Sequence, residues 1–171
     1  MILRTPTDYR AMPWANGRGQ TTELLREDGP DGLLLRLSLA MVVEDGAFSI
    51  LPLIDRVLTV ISGPGFVLRG KDVTLHAAPL VPVAFSGDVT LQATAVAAPS
   101  EDFNVMTARG TQPPHVWVAN AGWIGAGARL FLLALGVARV DDHVLGSRDL
   151  VETTRPVRLV SDGPVIAVRF G

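Results

Sequence analysis

Two short segments hold side chains whose type and spacing suit them to binding a small molecule. In LLLRLSLA, residues 33–40, the alternation of a β-strand puts Leu33, Leu35, Leu37 and Leu39 on one face and Leu34, Arg36, Ser38 and Ala40 on the other. The leucine face belongs to a core. The second face meets either solvent or the polar lumen of a barrel, and such a lumen is a natural ligand cavity. An arginine in that place can clamp a carboxylate through two parallel, charge-assisted hydrogen bonds. In solvent the same arginine would do nothing specific. Further on, DFNVMTARG (102–110) sets Asn104 and Met106 on one strand face. An amide in an apolar strand needs partners if it is buried, whereas Met106 can serve as core filler. Asp55 and Arg56 open another strand, and Asp55 could pair with Arg36 or with Arg109.

The third segment is PWANGRG, residues 13–19. Trp14 offers a large apolar ring with an N–H that wants an acceptor. Asn16, Gly17 and Gly19 tolerate positive φ and can expose backbone N–H groups toward an anion. The competing reading is an Asn-Gly hairpin turn with Trp14 as a core plug.

Other chemistries find little footing. With no cysteine, disulfides, thiolate metal sites and thiol nucleophiles are all excluded. His76, His115 and His143 stand in separate segments without a His-x-His pair, so no metal site and no cofactor is expected. No serine lies in a Gly-x-Ser-x-Gly elbow, and SGPG (62–65) and SGD (86–88) read as turns. Net charge is −2, with 15 basic and 17 acidic residues and no basic cluster, which argues against a nucleic-acid partner. Of the basic residues only Lys71 is lysine, so a bound anion would meet arginine. The apolar runs are too short or too interrupted to span a bilayer, and MILRTPTDYRAMPW lacks a signal-peptide pattern. A cytoplasmic protein without a membrane partner is expected.

These side chains must be positioned by strands. Residues 33–40, 56–62, 66–69, 89–97, 116–119, 129–140 and 165–170 are apolar or alternating runs punctuated by Gly, Pro, Asp and Ser. Only QTTELLRE (20–27) has helical propensity. A weak repeat relates 56–93 to 129–170: strand, glycine, strand, polar turn, then Pro-Val and two closing strands. Arg56 and Pro82 are 26 apart, Arg129 and Pro156 27 apart. Two copies of one hairpin-rich unit suggest two pseudo-equivalent barrels, although antiparallel β proteins can produce such echoes by chance. The expected fold class is all-β: two small antiparallel jelly-roll-like barrels in one compact unit, with halves near 1–110 and 111–171.

Several of these pieces occur together and in order: PWANGRG with Thr22-Glu23, RLS at 36–38, DGAFS at 45–49, DR at 55–56, FSGD at 85–88 and DFNVM at 102–106. In this the chain resembles the HutD/Ves family, named for an association with bacterial histidine utilisation. The resemblance covers roughly the first two-thirds of the chain. It implies a bicupin without the cupin metal set, and a ligand pocket in the amino-terminal barrel. Carried over position by position, it picks out Trp14, Asn16, Arg36, Ser38, Arg56, Asn104 and Met106. The chain departs from the family pattern at Ala15, where lysine is usual, and at Arg18, Leu35 and Met41. Arg18 could supply the anion interaction that a lysine at position 15 would offer.

The expected function is metal-free binding of a small carboxylate metabolite, such as a formylated or formiminated glutamate, in sensing or regulating histidine breakdown. A cupin isomerase or hydrolase on the same barrel is the competing class. An interaction protein with a filled barrel, its cavity below about 300 Å³, is the third. A homodimer is one option for assembly, and the carboxyl-terminal barrel is expected to be structural.

Overall fold

Short, β-rich segments broken by glycine and proline leave strand pairing as the means of satisfying the backbone. A computed structural model of the chain describes residues 1–13 and 20–171. Its strands form two units, Arg10–Thr111 and a second built from Met1–Tyr9 with Gln112–Gly171. The first nine residues therefore group with the carboxyl-terminal segment, because β1 (Ile2–Arg4) pairs with β17 (Leu150–Thr153). Tyr9 fastens the segment by donating its hydroxyl to the Arg148 carbonyl at 2.6 Å.

In the Arg10–Thr111 unit one sheet runs β2 (Arg10–Pro13), β3 (Gln20–Gly29), β4 (Gly32–Val42), β11 (Ser100–Ala108), β6 (Ile54–Ser62), β9 (Val83–Ser86). The other runs β5 (Gly46–Ala47), β10 (Gln92–Thr94), β7 (Phe66–Arg69), β8 (Thr74–Ala77). In the other unit the sheets run β1, β17, β14 (Arg129–Ala134), β19 (Val165–Phe170), β12 (His115–Ala119), and β13 (Gly122–Ile124), β18 (Val157–Ser161), β15 (Ala138–Val140), β16 (His143–Leu145). All these ladders are antiparallel. The pairings of β4 through β11 recur strand for strand in β12 through β19, and the order 4-11-6-9 facing 5-10-7-8 is that of a jelly roll.

The repeat expected from sequence is thus present, with a different alignment. Val83 opens β9 and Val157 opens β18, whereas the counterpart of β9 is β17. The two Pro-Val pairs match in letters only, since both precede a strand. The 129–140 run is two strands, split at Leu135–Val137 where the Leu135 N–H turns to the Pro164 carbonyl. QTTELLRE is a strand, not a helix. It pairs with β4 from Thr21↔Ala40 to Gly29↔Gly32, with irregularities at Glu23/Leu25 and Glu27/Asp28. Cross-strand pairing and burial of Leu24 outweigh its local preference.

The two interiors differ. In the carboxyl-terminal unit an apolar cluster that includes Leu130, Leu132, Val140, Leu145, Val151 and Leu159 occupies the space between the sheets. Strand β14 contributes Leu130, Leu132 and Ala134 there, whereas its counterpart β6 presents Arg56, Leu58 and Val60. In the Arg10–Thr111 unit the apolar cluster of Val42, Leu58, Val60, Phe66, Leu68 and Leu91 leaves one end of the sheet face to polar side chains. The turn after β6 is tight: Gly65 has φ +86°, and its N–H donates to Ser100 Oγ at 2.9 Å. A Cβ there would lie 2.1 Å from the Ala77 carbonyl oxygen. Gly65→Ala is expected to destabilise the protein by about 2–4 kcal/mol in chemical denaturation, from left-handed strain plus overlap with backbone.

Candidate functional site

Register decides which side chains meet. Met106 lies between Arg36 on β4 and Arg56 on β6, Asn104 between Ser38 and Leu58, and Asp102 between Ala40 and Val60. Successive members two residues apart share one face, so a polar patch crosses three strands. Five of the residues expected from sequence, Arg36, Ser38, Arg56, Asn104 and Met106, line one cavity of about 400 Å³. Thr21 and Ser49 add polar atoms, and Phe48, Leu51 and Val42 add apolar wall. The volume exceeds that expected of a filled barrel. Trp14, Asn16 and Arg18 lie outside the described residues.

Arg56 is the buried cation of the site, only 5% exposed. Its guanidinium carbon stands 5.1 Å from the Phe48 ring centre and 5.0 Å from that of Phe85, an arrangement in which ring faces stabilise the charge. Arg56 Nη2 donates to Asn104 Oδ1 at 2.7 Å, and Nη1 reaches the Ser49 carbonyl at 3.4 Å. Burial pushes its pKa down to about 10, with Asp102 opposing the shift and Arg36 adding to it. At neutral pH it stays charged.

Asn104 is satisfied on both sides. Its Oδ1 faces the guanidinium, and its Nδ2 donates to Asp102 Oδ1 in a short hydrogen bond. The opposite amide orientation would set N–H against N–H and oxygen against oxygen. The amide thus transmits polarity from a buried carboxylate to a buried cation. Asp102 itself is fully buried, and burial pushes its carboxyl up to about 7, with Arg56 and Asn104 pulling down and Glu101 adding a push upward.

Arg36 is oriented by Glu23, whose Oε2 accepts from Nε at 2.8 Å, and both side chains are largely buried. Its terminal Nη donors have no partner among the described residues. Ser38 Oγ and Arg56 Nε are likewise buried and unpartnered, as is Asp102 Oδ2. A buried polar atom without a partner costs about 1–3 kcal/mol. Ser38 and Arg56 thus bring unpartnered buried donors to residues that line one cavity.

Of the two pairings open to Asp55, the structure has the one with Arg109, at 3.1 Å on the exposed side. Asp55 alternates with Arg56 and so points away from Arg36. His76, His115 and His143 sit on β8, β12 and β16, and among the described residues no three His, Asp or Glu side chains gather as a metal set. His115 stacks on Trp117 at 4.7 Å. Among the described residues no helix is long and apolar enough to cross a membrane. Sequence reasoning missed Asp102, Glu23, Phe48 and Phe85 as parts of the site. Asp102 had a signal, since it stands two residues before Asn104 and hence on its face. The aromatic pair around Arg56 lies in the DGAFS and FSGD pieces, but nothing in either piece ties its ring to Arg56.

Comparison with known proteins agrees with this architecture. The family model described as HutD matches residues 6–158. An uncharacterised 21.2 kDa protein in the hutC 3′ region of Pseudomonas putida is 34% identical over 129 residues, covering 72% of this chain. The chain spans 64% of that relative's length. Protein Ves of Citrobacter koseri is 32% identical over 128 residues, covering 71% of this chain and 67% of that protein. Among solved structures, a conserved protein of unknown function from Pseudomonas aeruginosa PAO1 matches with TM-score 0.83 at 29% identity, covering 99% of this chain and 98% of that one. HutD from Pseudomonas fluorescens SBW25 gives 0.80 at 28% identity, covering 99% and 93%. Escherichia coli YhhW shares the cupin-like fold alone, with TM-score 0.67 at 7% identity over 99% of this chain and 97% of that one. By the extent of these matches, and by the jelly rolls that carry them, the chain belongs to the HutD family.

Proposed function

We propose that the protein binds a small carboxylate in the cavity of its Arg10–Thr111 unit, without a metal, and serves as a sensor or regulator in histidine utilisation. The observation that carries this reading is the set of unpartnered buried donors, Ser38 Oγ and Arg56 Nε, beside the Nη groups of Arg36. Donors of this kind want a charged acceptor, and a carboxylate satisfies two at a time. A volume of about 400 Å³ suits a small metabolite. Phe48, Leu51 and Met106 would pack against its methylene groups. The family association, and the place of the P. putida relative in a hutC 3′ region, support the link to histidine utilisation, and with it a formylated or formiminated glutamate is the candidate ligand.

The test is thermal unfolding and calorimetry with N-formyl-L-glutamate. Wild-type protein should be stabilised by ligand. Arg36→Ala should keep its fold and bind at least tenfold more weakly, for the loss of a charge-assisted hydrogen bond worth about 1.5–3 kcal/mol. An affinity unchanged by the substitution would remove Arg36 from the site.

A further inference from the structure

The cavity region holds two cations and two carboxylates: Arg36 with Glu23, and Arg56 with Asp102 across Asn104. The second pairing is incomplete. Asp102 has no exposure, its Oδ1 has only the Asn104 amide, and its Oδ2 has no partner at all. Arg56 is thus the cation on which Asp102 depends, and it also lines the cavity with its Nε unpartnered.

We propose that the site takes up its carboxylate together with one proton, and that Asp102 receives that proton. This rests on the carboxylate reading above. A ligand anion seated on Ser38 Oγ and Arg56 Nε claims the charge that compensates Asp102. The groups around Asp102 leave no substitute among the described residues. From β6 comes Arg56 and from β4 Arg36, already paired with Glu23 of β3. On β11 itself Glu101 adds a further negative charge. The facing sheet contributes apolar side chains such as Phe66, Leu68 and Ala93. One buried cation beside two anions leaves a net negative charge in a low dielectric, and protonation of a carboxylate removes it.

The proton passes from the buffer acid to Asp102, and no bond of the ligand breaks. The direction agrees with the electrostatics of the protein alone. Burial already holds Asp102 near neutrality, and Arg56 is the strongest influence keeping it down. A ligand that neutralises Arg56 raises it further. Binding then weakens up to tenfold per pH unit above about pH 7, until the value of the occupied site is passed.

The test is calorimetry of N-formyl-L-glutamate binding in phosphate and in Tris near pH ~8, where the ligand's carboxyls stay ionised. The dependence of heat on buffer ionisation enthalpy counts protons. Wild type should take up close to one proton per site, with affinity falling as pH rises. Asp102→Asn, which imitates the protonated side chain, should take up none and bind with an affinity flat in pH. Wild-type binding with no proton uptake and no pH dependence would overturn the coupling and leave the carboxylate reading intact. No binding at any pH would overturn both. If Asp102→Asn fails to fold, the wild-type proton count decides alone.

Discussion

Replacing Arg56 with methionine should abolish ligand-induced stabilisation, weakening carboxylate binding at least a hundredfold. The side chain is 5% exposed and lines the cavity, its Nη2 holds Asn104, and its buried Nε has no partner. Truncating one member of a buried, hydrogen-bonded charge pair typically costs about 2–5 kcal/mol of binding. Methionine retains much of the volume between Phe48 and Phe85, so the loss would report charge and donors more than packing. The unliganded protein should also lose about 3 kcal/mol above neutral pH, because Asp102 is left ionised without its cation. At acid pH the loss should shrink, since a protonated Asp102 no longer needs one. Calorimetry and urea denaturation at two pH values check both parts. Binding within a few-fold of wild type would show that Arg36, rather than Arg56, anchors the ligand.

The second large effect concerns stability and pH. The Asp102 carboxyl sits near 7 in the folded protein against an ordinary value of 3.8. The folded chain therefore holds a proton over a range where the unfolded chain has released it. The contribution of this group is fully favourable below the unfolded value and is lost as pH rises through about 7, on the order of 4 kcal/mol in all. Asp102→Asn should thus match wild type near pH ~4 and be more stable near pH ~8, by roughly 5–10 °C in Tm. The gain is less than the full linkage term because Arg56 then lacks a counter-charge. A difference between the two proteins that does not grow with pH would show that Asp102 titrates as an ordinary carboxyl. A wild-type protein that keeps a destabilising buried acid beside its cavity fits a group retained for binding rather than for folding.

Much of the site was legible because strand alternation is local. The period of two in LLLRLSLA is enough to separate Arg36 and Ser38 from the buried leucines, and the same rule groups Asn104 with Met106. What alternation leaves open is which strand lies beside which. Arg56 is 48 residues from Asn104, and Glu23 is 13 from Arg36. Those contacts follow from the β4–β11–β6 order, a product of the whole fold. Phe48 and Phe85 come from a loop and an edge strand; the DGAFS and FSGD pieces contain them, but no local rule places their rings against Arg56. Residues 20–27 misled in the opposite sense, since helix-forming side chains were overridden by pairing on both sides with β2 and β4. The repeat was legible as a fact and misaligned in detail, because Pro-Val marks the start of a strand without saying which one.

The central claim is that the polar end of the Arg10–Thr111 jelly roll holds a carboxylate. Its most direct test is a crystal structure of the protein grown with N-formyl-L-glutamate. The expected result is a carboxylate in the cavity, its oxygens within hydrogen-bond distance of Ser38 Oγ, Arg56 Nε and an Arg36 Nη. A cavity that contains only water at saturating ligand, or ligand held elsewhere on the molecule, would contradict it.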